Sequence, residues 1–355
     1  MIDWRLASTV AQGLALASPS PDWSGFKDVA AHARESERLV SAYTGLVAPS
    51  IPVAESVDRR AWVQASQASL KGVLDPFAER ASEHLKKKGK PPGARAGAVM
   101  AVEVGVMSGY LSQRVLGQYE FPVLDPKAPA RLLFVGPNLA SIREKLDVDG
   151  EELLRWVALH ETTHALQFGA VPWLREHLAA MVEELLAAAT VDPKSMLKLP
   201  NLSDLRNLPA LIETFKEGGL PALTIQPEQR ELFERMQCFM AVLEGYAEHV
   251  MDAVGAKVLK SLPELRAALD KRRQDRTGFL RLLERVIGME MKLRQYQQGK
   301  LFCDSAVALG GIEALNMVWS HPEALPTMRE LDDAAGWIAR VTPRQLEAAA
   351  PGASS

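Results

Sequence analysis

Two cysteines in 355 residues, Cys238 and Cys303, are too few for a disulfide framework, and each lies in an apolar, helix-like stretch rather than in a C-x-x-C pair. A thiolate metal site is excluded on the same ground, and a reducing compartment is the expected setting. Charge of one sign is also lacking. The formal net charge is -3 and the pI about 6.2, which provides neither a basic surface for nucleic acid nor a field that would hold anionic membranes. No run of ~18 uninterrupted apolar residues occurs, and the nearest to one, AGAVMAVEVGVMSGYL, carries Glu103 in its middle. The opening stretch MIDWRLASTVAQGLALASPS is interrupted by Gln12 and Gly13 and places Asp3 ahead of a lone Arg5, which reads as an amphipathic helix rather than a signal peptide. The expectation is a cytoplasmic protein with no nucleic-acid or membrane partner. Internal repeats are absent, and the oligomeric state is left open.

What is present is apolar mass and helical periodicity. With 47% hydrophobic and 24% charged residues, the chain can bury a large core, so residues 1–341 read as a single domain or as two intimate helical lobes. Residues 342–355, without bulky apolar residues after Leu346, read as a flexible tail. β-branched alternation is scarce, and the class is mainly α with at most a small β element. Helices are predicted over 1–18, 24–46, 58–88, 94–117, 150–168, 173–190, 203–217, 228–255, 262–270, 275–298 and 303–319. The charged, Pro/Gly-rich 86–93 segment is a solvated loop. Gly97, Ala101, Gly105 and Gly109 recur every fourth residue, a smooth face against which another helix can pack closely. One segment breaks the pattern: 131–138, RLLFVGPN, is short, apolar and ended by Gly-Pro, as a buried strand is. It serves either as a core strand or as an edge on which an extended peptide could pair.

His160-Glu161-Thr162-Thr163-His164 carries the chemistry. On a helix, H-E-x-x-H sets two imidazoles one turn apart, where both reach one tetrahedral ion, with Glu161 beside them to act on a metal-bound water. The helix is well started: Asp149 can cap it, Glu152 stands three residues on to complete a capping box, and Val148 can staple to Leu153. Its faces are mostly apolar, so His, Glu and His within it cost desolvation energy unless something binds them.

A third ligand is offered by LEGYAEHVMD, residues 243–252, which begins 79 residues after His164. Glu244 is the preferred ligand, Gly245 lets helices approach closely, and Glu248, one turn on, can hydrogen-bond a ligand histidine from behind. The alternative takes Glu248 as ligand with Asp252 as its support. Two histidines and one glutamate around Zn2+ leave the fourth position open, the catalytic rather than the structural arrangement. No third histidine follows at metzincin spacing, where Phe168-Gly169-Ala170-Val171 stand instead. An oxyanion donor is sought in Tyr296, beside Arg294, or in Tyr246 or His249 near the presumed ligand. Gln167 can orient a ligand or cap a loop, and His177 reads as a surface or packing residue.

At these residues the chain resembles the zincin-like metallopeptidase family of actinobacteria and related bacteria, described as hydrolases, some labelled as associated with biosynthesis of the deazaflavin redox coenzyme. The likeness runs nearly end to end, through VDRRAWV (57–63), RVLGQYEFP (114–122), LLFVGPN (132–138), WVALHETTHALQF (156–168), PWLREHL (172–178), LEGYAEHVMD (243–252) and LRQYQQGKLF (293–302). It implies a zincin-like helical core, with His160, His164 and Glu244 holding zinc and Glu161 as base. The expected activity is zinc-dependent hydrolysis of a peptide. The alternatives are a small non-peptide metabolite as substrate, or a zincin scaffold kept as a non-catalytic binding or regulatory protein.

Overall fold

The computed structural model describes residues 2–87, 94–188, 190–191, 223–224, 230–275 and 293–349. Within them lie eleven α-helices and a small sheet, so the mainly-α expectation holds. In chain order these are α1 (Trp4–Ala17), α2 (Val29–Thr44), β1 (Ala54–Val57), α3 (Arg59–Lys87), α4 (Ala94–Ser112), β2 (Gly117–Glu120), β3 (Arg131–Val135), α5 (Gly136–Leu146), α6 (Gly150–Ala170) and α7 (Leu174–Ala188). A two-residue pair, β4 (Thr190–Val191) with β5 (Leu223–Thr224), precedes α8 (Arg230–Val258), α9 (Leu262–Asp275), α10 (Leu293–Asn316) and α11 (Ala334–Ala349). The helix predicted over 203–217 and most of that over 275–298 lie outside the described residues. α5 and α11 were not anticipated, and α11 carries helical backbone through 342–349, the first part of the expected tail.

The small-residue face of α4 meets α1. A Cβ on Gly105 would lie 2.6 Å from the Ala7 carbonyl oxygen, and one on Gly109 2.5 Å from Leu14 Cβ, so the glycines of α4 leave room for the backbone and for Val10 and Leu14 of α1 to seat directly on it. Glu103 on the same helix is buried, and burial pushes its carboxyl from 4.5 up to about 8. The unfolded chain gives up this proton near pH 4.5, whereas the folded chain keeps it to about pH 8. Stability is therefore fully present below about pH 4.5 and declines as pH rises to about 8, by at most about 3 kcal/mol at neutrality. Glu103→Gln should flatten that decline, as read from denaturation midpoints between pH 5 and 8.

Strand order is β1-β3-β2, with β1 parallel and β2 antiparallel to β3. β3 is thus the central strand, buried on both faces from Leu132 to Val135, which is why its sequence is a continuous apolar run rather than an alternation. The expectation that 131–138 could offer a free edge is corrected: β3 is paired on both sides, Gly136-Pro137-Asn138 begin α5, and β2 is the outer strand. β2 was not anticipated: GQYE is only four residues long, and just its first residue, Gly117, fell inside the predicted helix 94–117.

α6 starts as its sequence dictates. Asp149 accepts from Glu152 N at 2.8 Å, and Val148 packs on the core cluster that contains Leu153. The capping box is only half made. Glu152 does not fold back on its own helix but reaches Lys260 N at 2.9 Å and Ser261 N at 2.8 Å, so one carboxylate caps the entry to α9 and ties it to α6. Among the described residues, Gln298–Trp319 is long and apolar enough to cross a membrane by length and composition. A third of that window is buried, with Phe302, Cys303 and Ala306 in the core and Gly299 seated on the backbone of Ala241 in α8, whereas Leu301 and Leu309 are exposed.

Candidate metal centre

α6 packs against both the sheet and α8, and its contact with α8 brings together His160, His164 and Glu244. The two imidazole Nε2 atoms are 3.2 Å apart, and Glu244 lies 3.6 Å from His160 Nε2 and 3.7 Å from His164 Nε2 through its two oxygens. Three groups, each offering one ligand atom, lie within 4.8 Å of one another. Donors held about 2.0 to 2.1 Å from a tetrahedral ion are about 3.3 Å apart, so the spacing and the chemistry of the set fit a divalent metal. The side chains of His160 and Glu244 keep 18% and 22% exposure, which leaves the centre reachable from one side.

The outer nitrogens are fixed. His164 Nδ1 is 2.8 Å from Gln167 Oε1, and His160 Nδ1 is 3.0 Å from the Met251 sulfur. Both partners are acceptors, so each Nδ1 carries a proton and each Nε2 is the nitrogen turned to the centre.

Glu161 is buried directly under β2. The Tyr119 backbone N–H donates to Glu161 Oε2 at 3.0 Å, and a Cβ on Gly117 would fall 2.6 Å from Glu161 Cγ. A side chain at 117 would therefore expel the carboxylate. Burial pushes the Glu161 carboxyl up to about 7, with the nearby Glu244 charge adding to the rise and His164 and the Tyr119 N–H opposing it. Burial acts against the charged form of His164, but the Glu244 carboxylate beside it prevails and pushes it up to about 9. Glu244 is itself held below its usual range by His164 and His160 against the cost of burial.

The other expected residues are placed as follows. Glu248 is buried and pairs with Arg266 of α9, whose Nη1 lies 2.6 Å from its Oε2. The same guanidinium donates through Nε to Asp252 at 2.6 Å. Glu248 and Asp252 are thus clamped by one arginine, and Glu244 occupies the donor triangle that the alternative reading assigned to Glu248. Tyr246 is corrected as an oxyanion donor: it is fully buried and its hydroxyl donates to Asn316 Oδ1 at 2.8 Å. Helical geometry held that signal, since two residues past Glu244 is roughly 200° around the helix. His249 has both ring nitrogens engaged, at 2.7 Å from Tyr43 Oη and 2.7 Å from Asp304 Oδ1. Tyr296 lies on α10, and its side chain is outside the described residues. His177 packs against Trp173 and Phe239, as a packing histidine should. Gly117 and the Tyr119 N–H were not anticipated, because their role depends on a strand passing over a helix distant in sequence.

Two histidines and a glutamate from neighbouring helices, with a buried second glutamate under a strand, form a group that could hold a metal ion beside a carboxylate. The chain belongs to the zincin-like metallopeptidase family, whose model matches residues 2–338. It is also similar to a protein from Chloroflexus aurantiacus whose crystal structure was described as that of a proposed hydrolase with a novel fold. That likeness has 30% sequence identity and a TM-score of 0.71, and it covers 96% of this chain and 99% of the other. Comparison with curated proteins gives no match. Family and structural neighbour together support a hydrolase.

Proposed function

We propose that the protein is a zinc-dependent hydrolase of peptides, with His160, His164 and Glu244 as ligands and Glu161 as general base. The observation that carries this reading is the convergence of three ligand atoms within 4.8 Å beside a buried glutamate. Zinc in such a site lowers the pKa of a bound water and polarises a carbonyl. Glu161, raised to about 7 by burial, takes a proton from the attacking water near neutral pH and hands it to the leaving amine. The Tyr119 N–H holds Glu161 Oε2 in place while this happens. The outer edge of β2 runs beside the base and can pair with an extended substrate. Residues 1–341 act in this proposal as one cytoplasmic domain with no nucleic-acid or membrane partner. The narrower kinship with actinobacterial members labelled for deazaflavin coenzyme biosynthesis rests on the shared sequence motifs and names no substrate.

The test is metal analysis of the purified protein together with a broad peptide library. About one zinc per chain and metal-dependent cleavage are expected. Stoichiometric zinc with no cleavage of any peptide or amide would overturn the catalytic reading in favour of a binding scaffold. A second expectation concerns pH. His164 must release its proton to bind the ion, so zinc affinity should fall about tenfold per pH unit below about 9, measurable by chelator competition at stepped pH.

A further inference from the structure

Gln167 is fully buried, one helical turn past His164, and makes two bonds. Its Nε2 donates to the Leu243 carbonyl at 3.1 Å, and its Oε1 faces His164 Nδ1 at 2.8 Å. The Leu243 carbonyl can only accept, so the amide nitrogen must face it, and the amide oxygen is left for the histidine. The orientation of one backbone carbonyl in α8 thereby fixes the amide, the amide fixes the tautomer of His164 in α6, and Nε2 is left free to donate. Leu243 immediately precedes Glu244. A single uncharged side chain thus joins the two helices that supply the three donors, at the ligand on each.

We propose that Gln167 is the positioning residue of the centre, holding the His164 ring with Nε2 turned to the other two donors and registering α8 against α6 without adding charge. The inference rests on the reading of His160, His164 and Glu244 as metal ligands. A carboxylate that accepts from a ligand imidazole pushes electron density into the ring and strengthens the metal bond. An amide orients without that push, so the ion is held less tightly and keeps more of its acidity towards water.

The experiment compares zinc affinity of the full chain by chelator competition, and the visible absorption of bound Co2+, in wild type, Gln167→Glu and Gln167→Met. Gln167→Met, which loses both bonds, should bind zinc about ten- to a hundredfold more weakly with an altered Co2+ spectrum, and Gln167→Glu, which keeps an acceptor for His164 but sets a carboxylate oxygen against the Leu243 carbonyl, should lose the tie to α8 and also bind more weakly. If Gln167→Glu does not fold, the methionine variant decides the matter, with unfolding midpoints matched to wild type. Wild-type protein that binds no zinc would sink the ligand reading itself. Wild type that binds zinc, with a folded Gln167→Met that matches it in affinity and Co2+ spectrum, would overturn the role of Gln167 alone.

Discussion

Glu161→Gln is expected to lower turnover by about 10²- to 10⁴-fold while zinc stays bound at about one per chain. Glutamine keeps the size of the side chain and an oxygen to accept from the Tyr119 N–H, which Glu161 Oε2 now does at 3.0 Å. It cannot accept a proton from water at any pH the protein survives. The donor triangle is untouched, because its members are His160, His164 and Glu244. The measurement is kcat on a cleaved library peptide beside metal content on the same preparation. Turnover that survives within tenfold would remove Glu161 from the role of base. Loss of zinc along with turnover would show instead that the substitution disturbs the site, and Gly117→Ala provides a contrast. Its Cβ would press on Glu161 Cγ from the strand side, so turnover should fall with the metal ligands unchanged.

Gly245→Val should cost roughly 3 kcal/mol of stability and release the metal as well. A Cβ at 245 would run into the Gly299 carbonyl and lie 2.7 Å from Lys300 N, and a Cβ at 299 would meet the Ala241 carbonyl. These are backbone atoms on both sides, so no rotamer change relieves the contact and α8 and α10 must part. Glu244 stands next to Gly245 on the moving helix, and its carboxylate would leave the 3.6 to 3.7 Å approach to the two histidines. Gly255→Ala on the same helix is the control. Its Cβ would meet only the ends of the Leu259 and Leu262 side chains, at 3.3 and 3.4 Å, and alanine favours helix, so stability should hold or rise by a few tenths of a kcal/mol. Denaturant unfolding and metal content of both variants check the pair. A Gly245→Val protein with wild-type stability and full zinc would show that the helices are not held at this distance.

Much of the centre was readable because its parts are local. His160, Glu161 and His164 share a face through helical period alone, and Asp149 announces their helix by capping it. Gly245 was readable as a close crossing with Glu244 beside it as candidate third donor, and the small face of α4 as a packing surface, since each follows from spacing along one helix. Tyr246 went astray although its angle around α8 was available, because a phenol beside a ligand looks chemical until its burial is known. β3 was legible as a strand and illegible as a central one. Its apolar run says that both faces are covered, not which strands lie beside it.

The sequence by itself determined the helical class, the donor residue types of the candidate centre and their one-turn spacing, since these depend on periodicities of a few residues. The tertiary structure alone decided that Glu244 rather than Glu248 completes the triangle and that β2 rather than β3 forms the outer edge over Glu161. It alone decided that Gln167 links His164 to the carbonyl before Glu244. Each of these joins groups far apart along the chain, and a contact of that kind exists only once the intervening elements have packed, which no local pattern encodes.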